Sequence, residues 1–235
     1  MTGGKRSDLI SERDLEVLDF IARFGVVPRY AVATWADTAR TVTECRERRL
    51  RNESLIRVLR GYGQIGPISV ATKLGLRACA RRELRPARLS LAALTHDTVV
   101  AEFAAATERE GRALLSEREI LARERAIGEP ALSASLPNGR VHRADLVELG
   151  EGGEPRRAIE IELSTKGAAR LDELMRAWRR AVLDGRVAGV SYHCAPRTLP
   201  YVRRAIERTK TESLISAQEL RVSSRSRLGF AAPLP

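Results

Sequence analysis

The stretch that most constrains this chain runs from Asp145 to Lys166. Asp145-Leu-Val-Glu-Leu is followed by Gly150-Glu-Gly-Gly153, and then by Ala158-Ile-Glu-Ile-Glu-Leu-Ser-Thr-Lys166. Apolar and polar residues alternate on both sides of the glycines with the period of a β-strand, so a hairpin is predicted. Side chains two apart share a face. Ile159, Ile161 and Leu163 are therefore expected to face a core, with Glu160, Glu162 and Ser164 on the other side. Asp145 shares a face of the first strand with Arg143 and Val147, and Lys166 stands just past the second. Acids converging across a hairpin suit a hard divalent ion, which takes carboxylate oxygens and can act on a phosphodiester. The bland alternative is a solvated strand face whose acids pair with Arg143, Arg156 and Arg157.

The flanking pattern gives the hairpin a setting. A helix is predicted over about 90–110, with His96 inside it as a structural residue, and Ser116-Glu-Arg-Glu119 can cap another. A strand pair is expected over 131–136 and 141–149, turning at Pro137-Asn-Gly139. After the hairpin come an amphipathic helix over about 168–183, a buried strand over 187–194, a helix over 199–210 and a weak strand over 220–223. The glycines at 150, 152 and 153 form no dinucleotide fingerprint, and no P-loop is present.

Ahead of this lies a different pattern. Ser11-Glu-Arg-Asp14 reads as a helix cap, with Leu15, Leu18, Ile21 and Ala22 following at helical spacing until Gly25. Pro28 opens a second helix, to about Ala36, and Thr41 or Thr43 caps a third. Leu55-Ile-Arg-Val-Leu and Pro67-Ile-Ser-Val-Ala-Thr are short β-rich runs joined by Arg60-Gly-Tyr-Gly-Gln. Three helices and a two-stranded hairpin give the winged helix-turn-helix order, in which the third helix enters the major groove and the hairpin touches the DNA backbone. Charge agrees with double-stranded DNA as partner. Residues 40–88 carry 13 basic and 4 acidic side chains, a net +9 of the chain's +11. Arg40, Arg46, Arg48, Arg49 and Arg51 cluster on or near the third helix and Arg60 sits at the wing, which makes them the candidate DNA contacts. A basic, solvated helix without ligand is the alternative.

The classes excluded are few. Cys45, Cys79 and Cys194 stand far apart, so a zinc or disulfide framework is not expected. No apolar run approaches the roughly 18 residues of a membrane span, so no membrane partner is expected. Nor does the N-terminus carry an apolar signal core, and a cytoplasmic location is the expectation.

The C-terminal order of helix, three-strand meander, helix, strand and helix resembles the restriction-endonuclease-like core of the PD-(D/E)xK nucleases. Arg143-Ala-Asp145 stands at that motif's Pro-Asp, and Glu160-Ile-Glu162 at its (Asp/Glu)-x-Lys. More narrowly, residues 11–215 resemble the replication-relaxation family of plasmids and mobile elements. That resemblance rests on Asp14-Leu-Glu-Val-Leu-Asp-Phe-Ile-Ala-Arg-Phe-Gly25, Arg48-Arg-Leu, Leu94-Thr-His-Asp97, Ser116-Glu-Arg-Glu119 and Glu160-Ile-Glu-Leu-Ser-Thr165. It implies an α+β or α/β chain, with a winged-helix DNA-binding domain over 1–88, a nuclease-like mixed-sheet domain flanked by helices over 89–223, and a tail over 224–235. It also implies a metal-dependent endonuclease or nickase of plasmid replication or transfer. Asp145 and Glu160, with Glu162, would hold Mg²⁺ or Mn²⁺, Glu117 or Glu119 would add an acid, and Lys166 would supply the charge that the motif's lysine normally provides. Glu162 departs from that lysine, so the other reading is a catalytically inactive DNA-binding regulator or recruitment factor. Cutting both strands would favour a homodimer, and replication or transfer proteins are further expected partners.

Overall fold

In the computed structural model residues 10–60 and 63–221 are described. The expected tail over 224–235, the end of the weak strand at 222–223 and the tip of the wing at 61–62 lie outside them. The chain begins with α1 (Glu12–Phe24), set by a full capping box: the Ser11 hydroxyl accepts from the Asp14 N–H while the Asp14 carboxylate accepts from the Ser11 N–H. It ends at Gly25, whose φ of 77° a side chain would resist. Next come β1 (Val27–Pro28), α2 (Arg29–Trp35) and α3 (Arg40–Asn52). The residue before α3 is Ala39, so neither Thr41 nor Thr43 caps it; Thr43 is instead buried, with its hydroxyl 3.2 Å from that of Thr38. Strands β2 (Ile56–Leu59) and β3 (Ile68–Ala71) follow, and with β1 they form an antiparallel sheet in the order β1-β3-β2. A short helix α4 (Lys73–Ala78), capped by Thr72, leads into the charged join.

The second part is built on a mixed sheet of five strands. Its elements are α5 (Leu94–Arg109), β4 (Leu114–Ser116), α6 (Glu117–Ile127), β5 (Ala134–Ser135), β6 (Val141–His142), β7 (Leu146–Leu149), β8 (Pro155–Glu162), α7 (Ala168–Leu183), β9 (Gly189–Cys194), α8 (Leu199–Thr209) and β10 (Ile215–Glu219). The order is β4-β7-β8-β9-β10, with β7 antiparallel to both neighbours and the rest parallel. The chain is thus mixed α+β.

Two elements differ from their sequence pattern. The turn at Pro137-Asn-Gly139 forms, but β5 and β6 make a separate two-stranded ladder, and the meander's first strand is β4. The last strand spans Ile215–Glu219, earlier than expected.

Both faces of the five-stranded sheet are covered. Leu114, Leu146, Ile159 and Ile161 pack on one side with α1 and α5. On the other, Leu115, Val147, Ala158 and Val190 pack with α7 and α8 around the fully buried Trp178. The first cluster takes Leu18, Phe20 and Leu50 from before residue 88 together with Val99, Phe103 and Ile159 from beyond it. One apolar core therefore runs across the expected domain boundary.

Candidate functional site

The β7–β8 register pairs Leu146 with Ile159, which sets Asp145 level with Glu160 at one end of the sheet. The hairpin does bring the expected acids together, but on a face that α7 covers. Glu160 and Glu162 are 5% and 4% exposed. A buried carboxylate is costly unless it is paired and hydrogen-bonded, and each of these acids has found partners.

Glu160 Oε1 accepts from Trp178 Nε1 at 3.0 Å and lies 2.8 Å from His142 Nε2. Burial alone would lower the His142 pKa, but the Glu160 carboxylate outweighs it and raises it. Glu162 is ion-paired with Lys166, four residues on in the loop that precedes α7. Burial pushes the Glu162 pKa up, and Lys166 opposes that rise. Asp145 Oδ2 accepts from the Ile161 N–H at 2.6 Å and sits 3.4 Å from His96 Nε2. That histidine reaches from α5, also bonding the Ile161 carbonyl at 3.1 Å. Its burial would lower its pKa, yet the Asp145 and Asp97 carboxylates push it up to about 11. His96 is therefore charged through the physiological range, where an isolated histidine is mostly neutral.

Beside Glu160 on β9 stands Tyr192, 1% exposed, whose hydroxyl has no hydrogen-bond partner among the described residues. Burial and the nearby Glu160 and Glu162 raise its pKa well above the usual value.

The two candidate extra acids separate. Glu117 follows β4 directly, and its N–H donates to the Asp145 carbonyl at 3.0 Å. Burial and the Asp145 charge raise its pKa. Glu119 points elsewhere: it closes the Ser116 capping box of α6 and accepts Arg23 and Arg81, each at 3.1 Å. It is a strut between α6 and the N-terminal part rather than a neighbour of the acid set.

Hard carboxylate oxygens are the donors that Mg²⁺ or Mn²⁺ takes. In this arrangement each carboxylate is already engaged through one oxygen, Asp145 through Oδ2 by His96 and the Ile161 N–H, Glu160 through Oε1 by His142 and Trp178, and Glu162 through Oε2 by Lys166, so a divalent ion would share the set with these groups. Among the described residues, no group of three or more such side chains is disposed to hold a metal. His142 and Trp178 carried no motif signal in the sequence. His96 did, within Leu94-Thr-His-Asp97, and its role here is to hold Asp145.

The arginines of α3 also divide into two sets. Arg46 and Arg49 reach back 3.1 and 2.8 Å to Asp14, which is fully buried, so they fasten α3 to α1. Burial would raise the Asp14 pKa, but hydrogen bonds from Arg49 and Ser11 prevail and bring it to about 2. Arg40, Arg48, Arg51 and Arg60 are exposed. Arg48, Arg51 and Arg60 line a shallow concavity between α3 and β2, floored by Arg29 with its partners Glu44 and Glu47. Compared with protein-family models and with curated proteins, the sequence finds no match.

Proposed function

We propose that this chain binds duplex DNA through α3 and the β2–β3 wing, as a winged-helix protein of plasmid or mobile-element replication or transfer. The element order α1-β1-α2-α3-β2-β3 supports the winged-helix reading. The observation that carries the DNA assignment is the state of the α3 arginines. Arg48, Arg51 and Arg60 are exposed beside one another and make no ion pair among the described residues, while Arg46 and Arg49 are spent on Asp14. Guanidinium groups left free on a helix are available to phosphates and to guanine edges.

The test is duplex binding by the full chain, with and without Arg48→Ala plus Arg51→Ala. A loss of about tenfold or more is expected from removing two such contacts. Unchanged affinity overturns the reading.

The C-terminal part is read as a nuclease-like scaffold whose acids are neutralised by its own cations. This leaves DNA binding without a metal requirement. A second reading, Mg²⁺-dependent cleavage, is favoured by the strand order and by Asp145 lying level with Glu160. Cutting of plasmid DNA in Mg²⁺ or Mn²⁺ that disappears in Asp145→Ala and Glu160→Ala would establish it in place of the first.

A further inference from the structure

Between the two parts of the molecule lies a cavity of about 290 Å³, bounded by the end of α1, residues 83–88, α5, α6 and Asp145. That volume is near the lower end for small-ligand sites, roughly 300–1,000 Å³. Arg118 braces it, donating from α6 to the Ala22 and Arg85 carbonyls on the opposite side. Glu160 and Glu162 do not line it, and neither do the arginines of α3.

The lining has two characters. Asp97 and Glu117 present carboxylates, with His96 between Asp97 and Asp145. Arg85, Arg88 and Arg125 also line the cavity. All three are exposed, and their guanidinium groups make no ion pair or side-chain hydrogen bond among the described residues.

A ligand that satisfies both must offer donors to the carboxylates and an anion to the arginines. A nucleoside phosphate does both. Its amino and hydroxyl groups donate, and its phosphate accepts the paired N–H groups of guanidinium. We propose that this cavity binds a nucleoside phosphate, as a free nucleotide or as part of a DNA strand. The site is independent of the α3 surface, so either can fail without the other.

The experiment is fluorescence anisotropy on the full chain with two probes, a fluorescent ATP analogue and a labelled 5′-phosphorylated oligodeoxyadenylate, both of which carry the amino donor. Saturable binding of at least one probe is expected. Arg85→Gln, Arg88→Gln and Arg125→Gln together should weaken it about tenfold or more, since they remove charge-assisted phosphate contacts. Asp97→Asn should also weaken it, and the oligonucleotide is measured in an Arg48→Ala plus Arg51→Ala background so that the α3 surface does not contribute. Binding of the ATP analogue assigns a free nucleotide, and binding of the oligonucleotide alone assigns a DNA strand. The proposal is overturned by no saturable binding of either probe, by binding that survives the triple substitution, or by equal competition from inorganic sulfate at matched ionic strength. The three arginines are exposed, so circular dichroism of the triple variant should match that of the parent.

Discussion

Asp14 shows how one residue can hold a local fold together. It closes the cap of α1, lies fully buried, and receives Arg46 and Arg49 from α3. Removing one partner of a buried pair strands the other charges, so Asp14→Ala is expected to cost about 3 kcal/mol in urea unfolding. The pH dependence has a definite sign. The folded pKa, about 2, lies below the usual 3.8. The contribution of Asp14 is therefore fully present above the unfolded value and is lost as pH falls through the folded one. Acid titration of the parent should show this loss below about pH 4, and Asp14→Asn should lack it. The cap was legible in the sequence because Ser11 and Asp14 are three apart. The tertiary partners were not: helical spacing puts Arg46 and Arg49 on one face and Arg48 and Arg51 on another, and leaves Arg49 free to face the core, but it does not tell that Asp14 is what the inner pair meets.

Elements were legible where their pattern was long. The sixteen residues of α7 carry an apolar stripe through Leu171, Leu174, Met175 and Trp178, and the helix forms over the expected span. Strand β4 has only the three residues Leu114–Ser116, too few for alternation to show, and so the meander was drawn with the wrong first strand. In β8 the alternation of Ile and Glu was correctly read as two faces, but it does not reveal that α7 covers the acidic one. That covering explains the Glu160–Trp178 bond and gives it a measurable weight. Trp178→Phe keeps most of the ring volume and removes the donor, leaving Glu160 short of one partner, so about 1–2 kcal/mol of destabilisation is expected. Trp178→Ala also opens a cavity and should cost about 3–5 kcal/mol. Equal losses for the two substitutions in urea unfolding would mean that the hydrogen bond contributes nothing.

At the scale of the whole molecule, the N-terminal helices and the sheet are not separate bodies. Val99 and Phe103 of α5 sit in the same cluster as Leu18 and Phe20 of α1. Arg23 spans the junction, bonding Glu108 at 2.7 Å, the Leu114 carbonyl at 2.6 Å and Glu119. Composition placed a boundary in the charged, proline-containing stretch near residue 88, because charge and proline usually mark linkers. The apolar contacts across it come from residues far apart in sequence, which no local pattern reports. A fragment ending at residue 88 lacks α5 and leaves this cluster open to water. It should show no cooperative thermal transition, whereas the full chain should unfold in one step; an independently cooperative fragment would contradict the shared core.

If the free arginines of α3 hold duplex DNA without metal, the salt dependence of binding will show it. Each phosphate contact contributes about 0.9 to the slope of log K against log salt. With EDTA present, the full chain should bind duplex DNA with a steep slope. Arg48→Ala plus Arg51→Ala should weaken binding about tenfold or more, and should flatten the slope by up to about 2 if both side chains contact phosphate. Binding that requires Mg²⁺, or an affinity and slope that both survive the double substitution, would mean that these arginines do not hold DNA in this way.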